Sequence, residues 1–507
     1  MCDLAFIGPL IVIKWLETFF EGIFLAKILD NIGLTFDDVL LVPQRSSIKS
    51  RRDVSTRSRF TRRIVLNVPI VSAAMDTVTE ADMAIAMARE GGIGVVHRFN
   101  TIQQQVEQIK IVKRAENIAI EEPYTIGPEA TVAEAQQLMQ RKNVSGLLVV
   151  DTSKRLLGIV TKRDVLFRNY GAKVAECMTP KERLVTAPPE ITLEEAKQIF
   201  MKHKVEKLPL VDSDGRLKGL VTSADIVKKL MHPHATRDSR GRLMVAAALG
   251  VREEALDRAE ALLAAGADCL VIDVAHGHTE IVIQTIKKLR SSFSDDFELV
   301  AGNVATAEGV EDLASAGASA VKIGVGPGSV CTTRIVAGVG VPQLTAIMKC
   351  FEAAESMDVP LIADGGIRSS ADMVKALAAG ASTVMIGRLL AGTDESPGAV
   401  VVKNGRKMKV YRGMASFYAM LAKESRAGDE DFLQDASEYS YIAEGVEAYV
   451  PYKGSASDVI RQLVAGLRSG LSYLGARNIE ELRRNAVFIR MTEAGLKESH
   501  PHDVETI

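Results

Sequence analysis

The sequence lacks the features that mark nucleic-acid-binding, disulfide-stabilised or Rossmann-type proteins. Its 62 lysines and arginines are balanced by 64 aspartates and glutamates, so a net charge of −2 offers no electrostatic footprint for a nucleic acid. The five cysteines lie far apart without CxxC pairs, which argues against a zinc site and indicates a reducing compartment. No P-loop is present and no GxGxxG motif opens a helix, so any dinucleotide would bind without a Rossmann fold. We expect a cytoplasmic protein with no nucleic-acid partner.

The apolar N-terminal stretch is too interrupted to cross a membrane. Residues 4–28 contain Lys14, Glu17, Glu21 and Lys27, whereas a span needs about 20 apolar residues without such breaks. A signal peptide would carry its basic residues before the apolar core. An amphipathic helix packed on the body, attachment to a membrane surface and a non-native extension from an upstream start codon all stay open. We predict no membrane span.

Apolar, β-rich runs alternate with alanine-rich helical stretches, which is the pattern of a parallel α/β fold. Eight runs are predicted to be strands: residues 69–74, 92–96, 244–249, 269–274, 297–301, 320–324, 359–363 and 383–386. Eight strand–helix units predict a (β/α)₈ TIM barrel, whose functional residues belong at the carboxyl ends of the strands.

The second and third predicted strands are about 145 residues apart, which is too long for a barrel connection. The gap contains an internal repeat, because GIVTKRDV at 158–165 recurs as GLVTSADI at 219–226. The repeat resembles a pair of cystathionine-β-synthase (CBS) motifs, a Bateman domain that binds regulatory nucleotides. The resemblance implies adenine or guanine nucleotide binding through Thr161, Asp164, Thr222 and Asp225. A module that binds nothing and serves in assembly is the alternative.

These patterns divide the chain into four parts. They are an N-terminal extension at 1–29, the first part of the barrel at 30–118, the CBS pair at 119–231 and the remainder of the barrel at 232–507.

Cys331 lies in GVGPGSVCTTR (324–334), directly after the sixth predicted strand. Gly324, Gly326 and Gly328 permit backbone angles that bring main-chain amides close to a ligand. Hydroxyl side chains flank the sulfur on both sides. A thiol held by loop backbone at the end of a barrel strand is typical of a covalent nucleophile, and an ordinary free cysteine in a turn is the alternative.

A second candidate site connects the seventh and eighth strands. Barrels commonly bind phosphate there through backbone amides, and Gly365, Gly366 and Gly387 permit close approach. Asp364 would repel a phosphate but can accept hydrogen bonds from ribose hydroxyls. Asp273, which ends the fourth strand, can hold a second ribose. The residues alone indicate a nucleoside monophosphate or a similar sugar phosphate, unless the segment is only a structural turn.

Six segments together resemble the IMP dehydrogenase / GMP reductase family. They are TFDDVLLVP (35–43), SAAMDTVTE (72–80), AHGH (275–278), GPGSVCTTR (326–334), DGGIR (364–368) and YRGMAS (411–416). The resemblance covers nearly all of the chain from about residue 30 and implies NAD-dependent oxidation of IMP to XMP through a thioimidate on Cys331. It also implies a K⁺ site and a homotetramer.

The resemblance assigns roles residue by residue. The catalytic residues would be Cys331, Thr333 and Glu444. IMP would be bound by Ser329, Asp364, Gly365, Gly366, Gly387, Tyr411, Gly413, Met414 and Glu444. NAD would be bound by Asp273, Gly324 and Gly326. K⁺ would be held by Gly326, Gly328 and Cys331, completed by Glu498, Ser499 and His500 from a neighbouring subunit.

Residues 417–444 depart from the dehydrogenase pattern, because they lack the Arg-Tyr pair that usually activates water on a mobile flap. Arg426 precedes Ala427, and Asp431-Phe432 stand near the expected position. The remaining proton route is the pair Thr333 and Glu444, which GMP reductases also use. NADPH-dependent reduction of GMP to IMP and ammonia is therefore the alternative activity.

Two further residues depart from the family. Ala415 replaces the second glycine of the usual GMG, and Arg388 replaces a small or hydroxyl residue after Gly387. The Arg388 guanidinium could bind the substrate phosphate directly, or the side chain could point to solvent. SAAMDTVTE, AHGH and DGGIR favour the dehydrogenase, and Cys331 with its partners argues against a barrel that binds nucleotides without turnover.

Overall fold

Eight parallel strands close into a barrel. The computed structural model describes residues 28–29, 32–115, 120, 122–293, 297–421, 442–502 and 504. Each barrel strand pairs with the next, and the last pairs with the first. In chain order the strands are β1 (Ile70–Ser72), β2 (Ile93–Val96), β3 (Ala246–Leu249), β4 (Cys269–Asp273), β5 (Glu298–Val304), β6 (Ala320–Ile323), β7 (Leu361–Asp364) and β8 (Thr383–Ile386). The predicted barrel is confirmed, and all eight predicted strands are present with bounds that differ by a few residues.

A ring of helices surrounds the strands. They are α1 (Ala81–Arg89), α2 (Ile102–Arg114), α3 (Ala255–Ala264), α4 (Glu280–Ser292), α5 (Ala307–Ala316), α6 (Gln343–Ser356), α7 (Ser370–Ala378) and α8 (Ala456–Tyr473). Helix α8 packs against α7 and α1 and so completes the ring.

The strands are apolar throughout because both of their faces are buried. In β3, Ala246 and Ala248 belong to the apolar cluster inside the barrel, whereas Ala247 and Leu249 belong to the cluster between strands and helices. Side chains alternate along a strand with a period of two, so a strand covered on both sides reads as a continuous apolar run. This is why the sequence predicted the strands well.

Between α2 and β3 the chain forms two copies of a small α/β unit. The first copy contains strands Thr125–Ile126, Gly146–Val150 and Leu156–Thr161 and helices Val132–Arg141 and Lys162–Val165. The second contains helices Leu193–His203 and Ser223–Met231 and strands Lys207–Val211 and Leu217–Thr222. The copies share an apolar cluster of Leu148, Leu156, Ile159 and Leu220. The predicted order of elements is present, while the identity as a CBS pair and the predicted domain bounds stay predictions.

A three-stranded antiparallel sheet follows β8. Its strands are Val400–Lys403, Arg406–Arg412 and Glu447–Pro451. Near the start of the chain, Val39–Leu41 pairs with Phe488–Arg490. The shorter elements are Phe36–Asp38, Ser58–Arg59, Val65–Leu66, Val174–Cys177, Thr179–Pro180, Lys181–Arg183, Thr333–Val336, Arg388–Ala391, Ile479–Asn485 and Glu493–Glu498.

Of the described residues, none forms a helix with the length and apolar composition needed to cross a bilayer. Most of the apolar N-terminal extension, residues 1–27 and 30–31, lies outside the described residues.

Candidate active site

A cavity of about 410 Å³ surrounds Cys331 at the carboxyl ends of the barrel strands. It is lined by every residue that the sequence assigned to catalysis, substrate or cofactor. These are Cys331, Thr333, Glu444, Ser329, Asp364, Gly365, Gly366, Gly387, Tyr411, Gly413, Met414, Asp273, Gly324 and Gly326. The structure thus brings the predicted groups into one place, and their individual roles stay predictions.

The loop that carries Cys331 depends on glycine at its start. Gly324 has a φ of 144°, and a Cβ there would lie 2.2 Å from the backbone oxygen of Asp364. Gly326 has a φ of 79°, and its Cβ would lie 2.5 Å from Cγ of Arg334. The Arg334 guanidinium donates to the carbonyls of Val325 at 3.1 Å and Val341 at 2.6 Å. Backbone packing and one arginine therefore fix the path of the loop toward the half-buried thiol.

The Cys331 loop is joined directly to the segment that carries Glu444. The Thr332 amide donates to the Glu444 carbonyl at 2.9 Å, and the Val446 amide donates to the Val330 carbonyl at 2.9 Å. These bonds align two chain segments that are more than a hundred residues apart. They place the Glu444 side chain beside the residues that follow the cysteine.

Three side chains form a hydrogen-bonded chain from the sulfur to a carboxylate. Sγ of Cys331 lies 3.2 Å from Oγ1 of Thr333, which donates a 2.7 Å bond to Oε2 of Glu444. A threonine hydroxyl has one hydrogen to donate. Because that hydrogen is directed at Glu444, the hydroxyl oxygen accepts at the cysteine and the thiol donates. The chain offers a continuous route for a proton from the reacting centre to Glu444.

A buried cation organises the ends of β4, β5 and β7. The Lys322 side chain is 1% exposed, and Nζ donates at 2.7 Å to Oδ1 of Asp273 and at 2.7 Å to Oδ2 of Asp364. It also contacts the side-chain oxygen of Asn303, whose Nδ2 donates to Asp364 at 3.0 Å. Burial alone would lower the pKa of Lys322, but the two carboxylates outweigh it and the pKa is raised.

Lys322 and Asn303 were missed at the sequence level. The sequence did contain a sign of Lys322, because this lysine lies within the apolar strand run AVKI. A charged side chain in a buried strand needs partners that compensate its charge. Asp273 and Asp364 each use one carboxylate oxygen for the lysine, and both line the cavity. Lys322 therefore sets the spacing between the two carboxylates that were predicted to hold two riboses.

Tyr411 marks the other end of the cavity. The tyrosine is 4% exposed, and burial raises its pKa to about 12, partly offset by a hydrogen bond with Ser329. The phenol therefore remains a hydrogen-bond donor at neutral pH. A Cβ on Gly387 would lie 3.0 Å from the Tyr411 hydroxyl. Arg388 is exposed and also lines the cavity, so a guanidinium, a phenol and backbone amides meet at this end.

An ion pair anchors the strand that carries Tyr411 to the loop after β1. Nε of Arg412 donates to Oδ2 of Asp76 at 3.0 Å, and the Arg412 amide donates to Oγ1 of Thr77 at 3.3 Å. The Asp76 side chain is 3% exposed. This anchor, formed within SAAMDTVTE and YRGMAS, holds Met414 and Ala415 at the cavity wall.

The cavity also includes residues that no motif predicted. Arg98 and Phe99 line it and also line a neighbouring cavity of about 780 Å³ next to α3. Burial lowers the pKa of Arg98, and the charge of Asp273 opposes that shift. The two cavities therefore adjoin at Arg98 and Phe99.

The predicted potassium ligands are only partly gathered. Gly326, Gly328 and Cys331 share one loop, and the Gly328 carbonyl accepts from the Cys331 amide at 3.1 Å. Glu498, Ser499 and His500 do not line the cavity of the described chain, and they were predicted to act from a neighbouring subunit. Backbone carbonyl oxygens are ligands that K⁺ prefers, so the three predicted carbonyls of this loop are chemically suited to the ion.

The predicted regulatory residues have local structural roles in the first repeat. The Thr161 amide and hydroxyl both donate to Oδ2 of Asp164 at 2.7 Å, which forms a helix cap. Thr222 ends the corresponding strand of the second repeat. The side chain of Asp225 lies outside the described residues, as do Arg426, Ala427, Asp431 and Phe432 of the predicted flap. Nucleotide binding by these threonines and aspartates stays a prediction.

Comparisons with known proteins give a consistent result. The family model described as "IMP dehydrogenase / GMP reductase domain" matches residues 33–502. Inosine-5′-monophosphate dehydrogenase from Aquifex aeolicus is 55% identical over 477 residues, covering 93% of this chain and 96% of the relative. The enzyme of the same name from Nitrosopumilus maritimus is 52% identical over 472 residues, covering 93% and 98%.

Solved structures of GMP reductase from Trypanosoma brucei are also similar. A variant in complex with guanosine 5′-monophosphate is 46% identical with a TM-score of 0.87, covering 94% of this chain and 98% of that one. A complex with guanosine 5′-triphosphate is 42% identical with a TM-score of 0.76, covering 91% and 98%. The resemblance seen in the sequence motifs is confirmed: the chain belongs to the IMP dehydrogenase / GMP reductase family.

Proposed function

We propose that this oxidoreductase converts IMP to XMP with NAD⁺, through a covalent intermediate on Cys331. The observation that carries the proposal is the hydrogen-bonded chain Cys331–Thr333–Glu444 inside a cavity that Tyr411 and Arg388 also line. The relatives named inosine-5′-monophosphate dehydrogenase, at 55% and 52% identity, support the direction of the reaction.

The substrate would lie between Tyr411 and Cys331. Its phosphate would be bound by the Ser329 and Tyr411 hydroxyls and by the backbone of Gly366 and Gly387, where a side chain would intrude on the site. The remaining oxygen of Asp364 would accept from the ribose hydroxyls. The base would contact Met414 and the backbone of Gly413. This arrangement would place C2 of the purine at the sulfur.

The chemistry uses the cysteine as a nucleophile. Sγ of Cys331 would form a bond to C2 of the purine while its proton leaves along the hydroxyl of Thr333. NAD⁺, when bound, would supply the acceptor for the hydrogen that C2 loses with its electron pair, and the thioimidate would remain on Cys331. Water then attacks C2 of the thioimidate, the carbon–sulfur bond breaks and XMP departs. Thr333 and Glu444 take the proton from that water, because they form the hydrogen-bonded route next to the sulfur.

The residues at the far side of the cavity fit NAD. Asp273 presents a carboxylate oxygen that Lys322 does not use, and Gly324 and Gly326 leave the backbone open at the loop. The adjoining cavity beyond Arg98 and Phe99 would take the rest of the dinucleotide.

Further proposals follow from the family. The carbonyls of Gly326, Gly328 and Cys331 would hold K⁺ together with Glu498, Ser499 and His500 of a neighbouring subunit, in a homotetramer. The two-repeat insertion would be a CBS pair that binds an adenine or guanine nucleotide. The enzyme would reside in the cytoplasm.

One observation favours a second activity. The sequence lacks the Arg-Tyr pair, and Thr333 with Glu444 would be the remaining acid–base group near the sulfur. GMP reductases use such a pair, and the Trypanosoma brucei structures carry that name. NADPH-dependent deamination of GMP to IMP is therefore the alternative to test.

Absorbance at 340 nm separates the two activities. Purified protein with potassium receives IMP and NAD⁺ in one cuvette, and GMP and NADPH in the other. A rise in the first cuvette that Cys331→Ala abolishes is the expected result. A fall in absorbance confined to the second cuvette would establish the reductase. An unchanged absorbance in both cuvettes would contradict both activities.

A further inference from the structure

A second cavity, of about 570 Å³, lies at the end of the barrel opposite Cys331. Its lining includes Asn67 and Val68, which precede β1, and Glu90, which follows α1. These residues lie at the amino end of the strands. We call this second cavity the base cavity.

Arginines dominate the base cavity. Its lining contains Arg52, Arg57, Arg89, Arg461 and Arg468, and Glu90 is its one acidic member among the described residues. Glu90 accepts two hydrogen bonds from Arg461, at 2.8 and 3.1 Å. The nearby charge of Asp458 also acts on Arg461. Glu90 is thus paired with Arg461, and no acidic side chain of the described residues forms an ion pair with Arg52, Arg57 or Arg468. These three arginines leave positive charge in the lining.

Arg468 gives an independent sign of a missing acceptor. Its Nε atom is buried and has no hydrogen-bond partner among the described residues. Leaving a buried donor unpaired costs roughly 1–3 kcal/mol. An anion in the base cavity would provide the acceptor that the protein side chains around Arg468 do not.

The chain that returns from the two-repeat insertion forms one wall of the base cavity. His232 and His234 line it, and the His234 carbonyl accepts from Nδ2 of Asn67 at 2.8 Å. Gly91 has a φ of 91°, and a Cβ there would lie 2.8 Å from that carbonyl. The return segment is therefore seated closely on the barrel, and a ligand would contact the barrel and this segment together.

We propose that the base cavity binds an oligophosphate anion, either free or carried by a nucleotide. Guanidinium groups bind phosphate oxygens in pairs through short, charge-assisted hydrogen bonds. The cavity volume lies within the range of about 300–1,000 Å³ that small-molecule sites occupy. Binding here would brace the return segment against the barrel, because His232 and His234 line the same cavity as the arginines.

Calorimetric titration of the full chain with inorganic triphosphate tests the proposal. Saturating IMP is kept present so that the catalytic cavity contributes no signal, and ATP is left out because its triphosphate would compete for the base cavity. The variant Arg52→Ala/Arg57→Ala changes two exposed side chains, and Arg484→Ala, an exposed arginine outside the cavity, is the matched control. The dissociation constant should rise at least tenfold in the double variant and stay unchanged in the control.

A second variant, Arg468→Lys, keeps the charge but removes the buried Nε donor, and it should also weaken binding. Melting temperature and the 340 nm rate should remain those of the parent protein in all variants. The titration is repeated with ATP in place of triphosphate, again with IMP present. Comparing the two affinities shows whether the anion is free or nucleotide-borne. Equal affinity in parent and double variant, or no binding of triphosphate by the parent at millimolar concentration, would overturn the proposal.

Discussion

The hydroxyl of Thr333 donates a 2.7 Å hydrogen bond to Oε2 of Glu444, although 111 residues separate the two in the chain. The same hydroxyl lies 3.2 Å from the sulfur of Cys331. Because the only hydroxyl hydrogen is directed at the carboxylate, the pair is oriented to carry a proton away from the thiol or from a water beside it. This orientation is a property of the assembled site.

Removing the relay should slow the hydrolysis of the covalent intermediate more than its formation. General acid–base groups contribute about 10²–10⁴-fold to a rate, so we expect Thr333→Val and Glu444→Gln to lower kcat at least a hundredfold. A burst of NADH should persist when enzyme and IMP are mixed with NAD⁺ in a stopped-flow instrument, with the adduct visible by mass spectrometry. Thr332→Val changes a hydroxyl residue outside the cavity lining and is the control. Loss of the burst along with turnover would contradict this order, because it would show that the relay matters most for deprotonating Cys331 and not for hydrolysis.

Arg388→Ser should weaken phosphate binding. A hydrogen bond to a charged group contributes about 1.5–3 kcal/mol, so KM for IMP should rise roughly tenfold or more while kcat stays within a factor of two. Lys453→Ser removes a cation whose charge interacts with Arg388 but which does not line the cavity, and it should leave KM unchanged. Steady-state kinetics at several IMP concentrations measure both. An unchanged KM in Arg388→Ser would mean that the guanidinium points to solvent.

Lys322→Met should destabilise the fold, because it leaves the carboxylates of Asp273 and Asp364, which are 26% and 21% exposed, without their shared cation. Removing one partner of a fully buried ion pair costs about 3–5 kcal/mol, and the partial exposure of these carboxylates should make the cost smaller. Urea unfolding followed by far-ultraviolet circular dichroism should show a lower midpoint. Lys349→Met removes an exposed lysine on α6 and should have little effect. Parent-like stability of Lys322→Met would contradict the organising role of this lysine.

Gly324→Ala should cost more stability than Gly405→Ala, although both glycines have positive φ angles of 144° and 74°. A Cβ at 324 would lie 2.2 Å from a backbone oxygen, whereas none of the described atoms lies within 4 Å of a Cβ at 405. The variant at 405 therefore reports the backbone strain alone, about 1 kcal/mol. The difference in urea midpoints between the two variants measures the steric clash together with the greater backbone strain at a φ of 144°. Equal midpoints would show that the Cys331 loop can move to relieve it.

The ion pair between Asp37 and Arg368 should make stability depend on acidic pH. The hydrogen bond from Arg368 lowers the pKa of Asp37 below its ordinary value of 3.8. The pair therefore contributes fully above that value and is lost as the pH falls through the lower, folded-state pKa. The Asp37 side chain is 38% exposed, so the effect should be at most about 1 kcal/mol.

Comparing the parent protein with Asp37→Asn tests this dependence. The variant should unfold at a lower urea concentration at pH 7, and the difference should shrink toward pH 3. A difference that is constant over this range would show that the aspartate acts through packing and not through its charge.

The sequence alone determined the barrel and its strands, and it named Cys331 as the candidate nucleophile. Strands buried on both faces read as apolar runs, and the glycines around Cys331 are needed where the backbone has positive φ or where no side chain fits. Both signals are local, because they depend on neighbours in the chain. The family motifs are also local runs, which is why every residue assigned to catalysis, substrate or cofactor could be named before the structure placed it in the cavity.

Only the tertiary structure decided which of these residues touch. Lys322 meets Asp273 and Asp364, at separations of 49 and 42 residues, because barrel closure brings the ends of β4, β6 and β7 together. Thr333 meets Glu444 through pairing between two distant loops. Arg461 and Arg468 of the base cavity lie near Arg89 because α8 packs beside α1. Such contacts depend on strand order, register and helix packing across the whole chain, and no local pattern of residues encodes them.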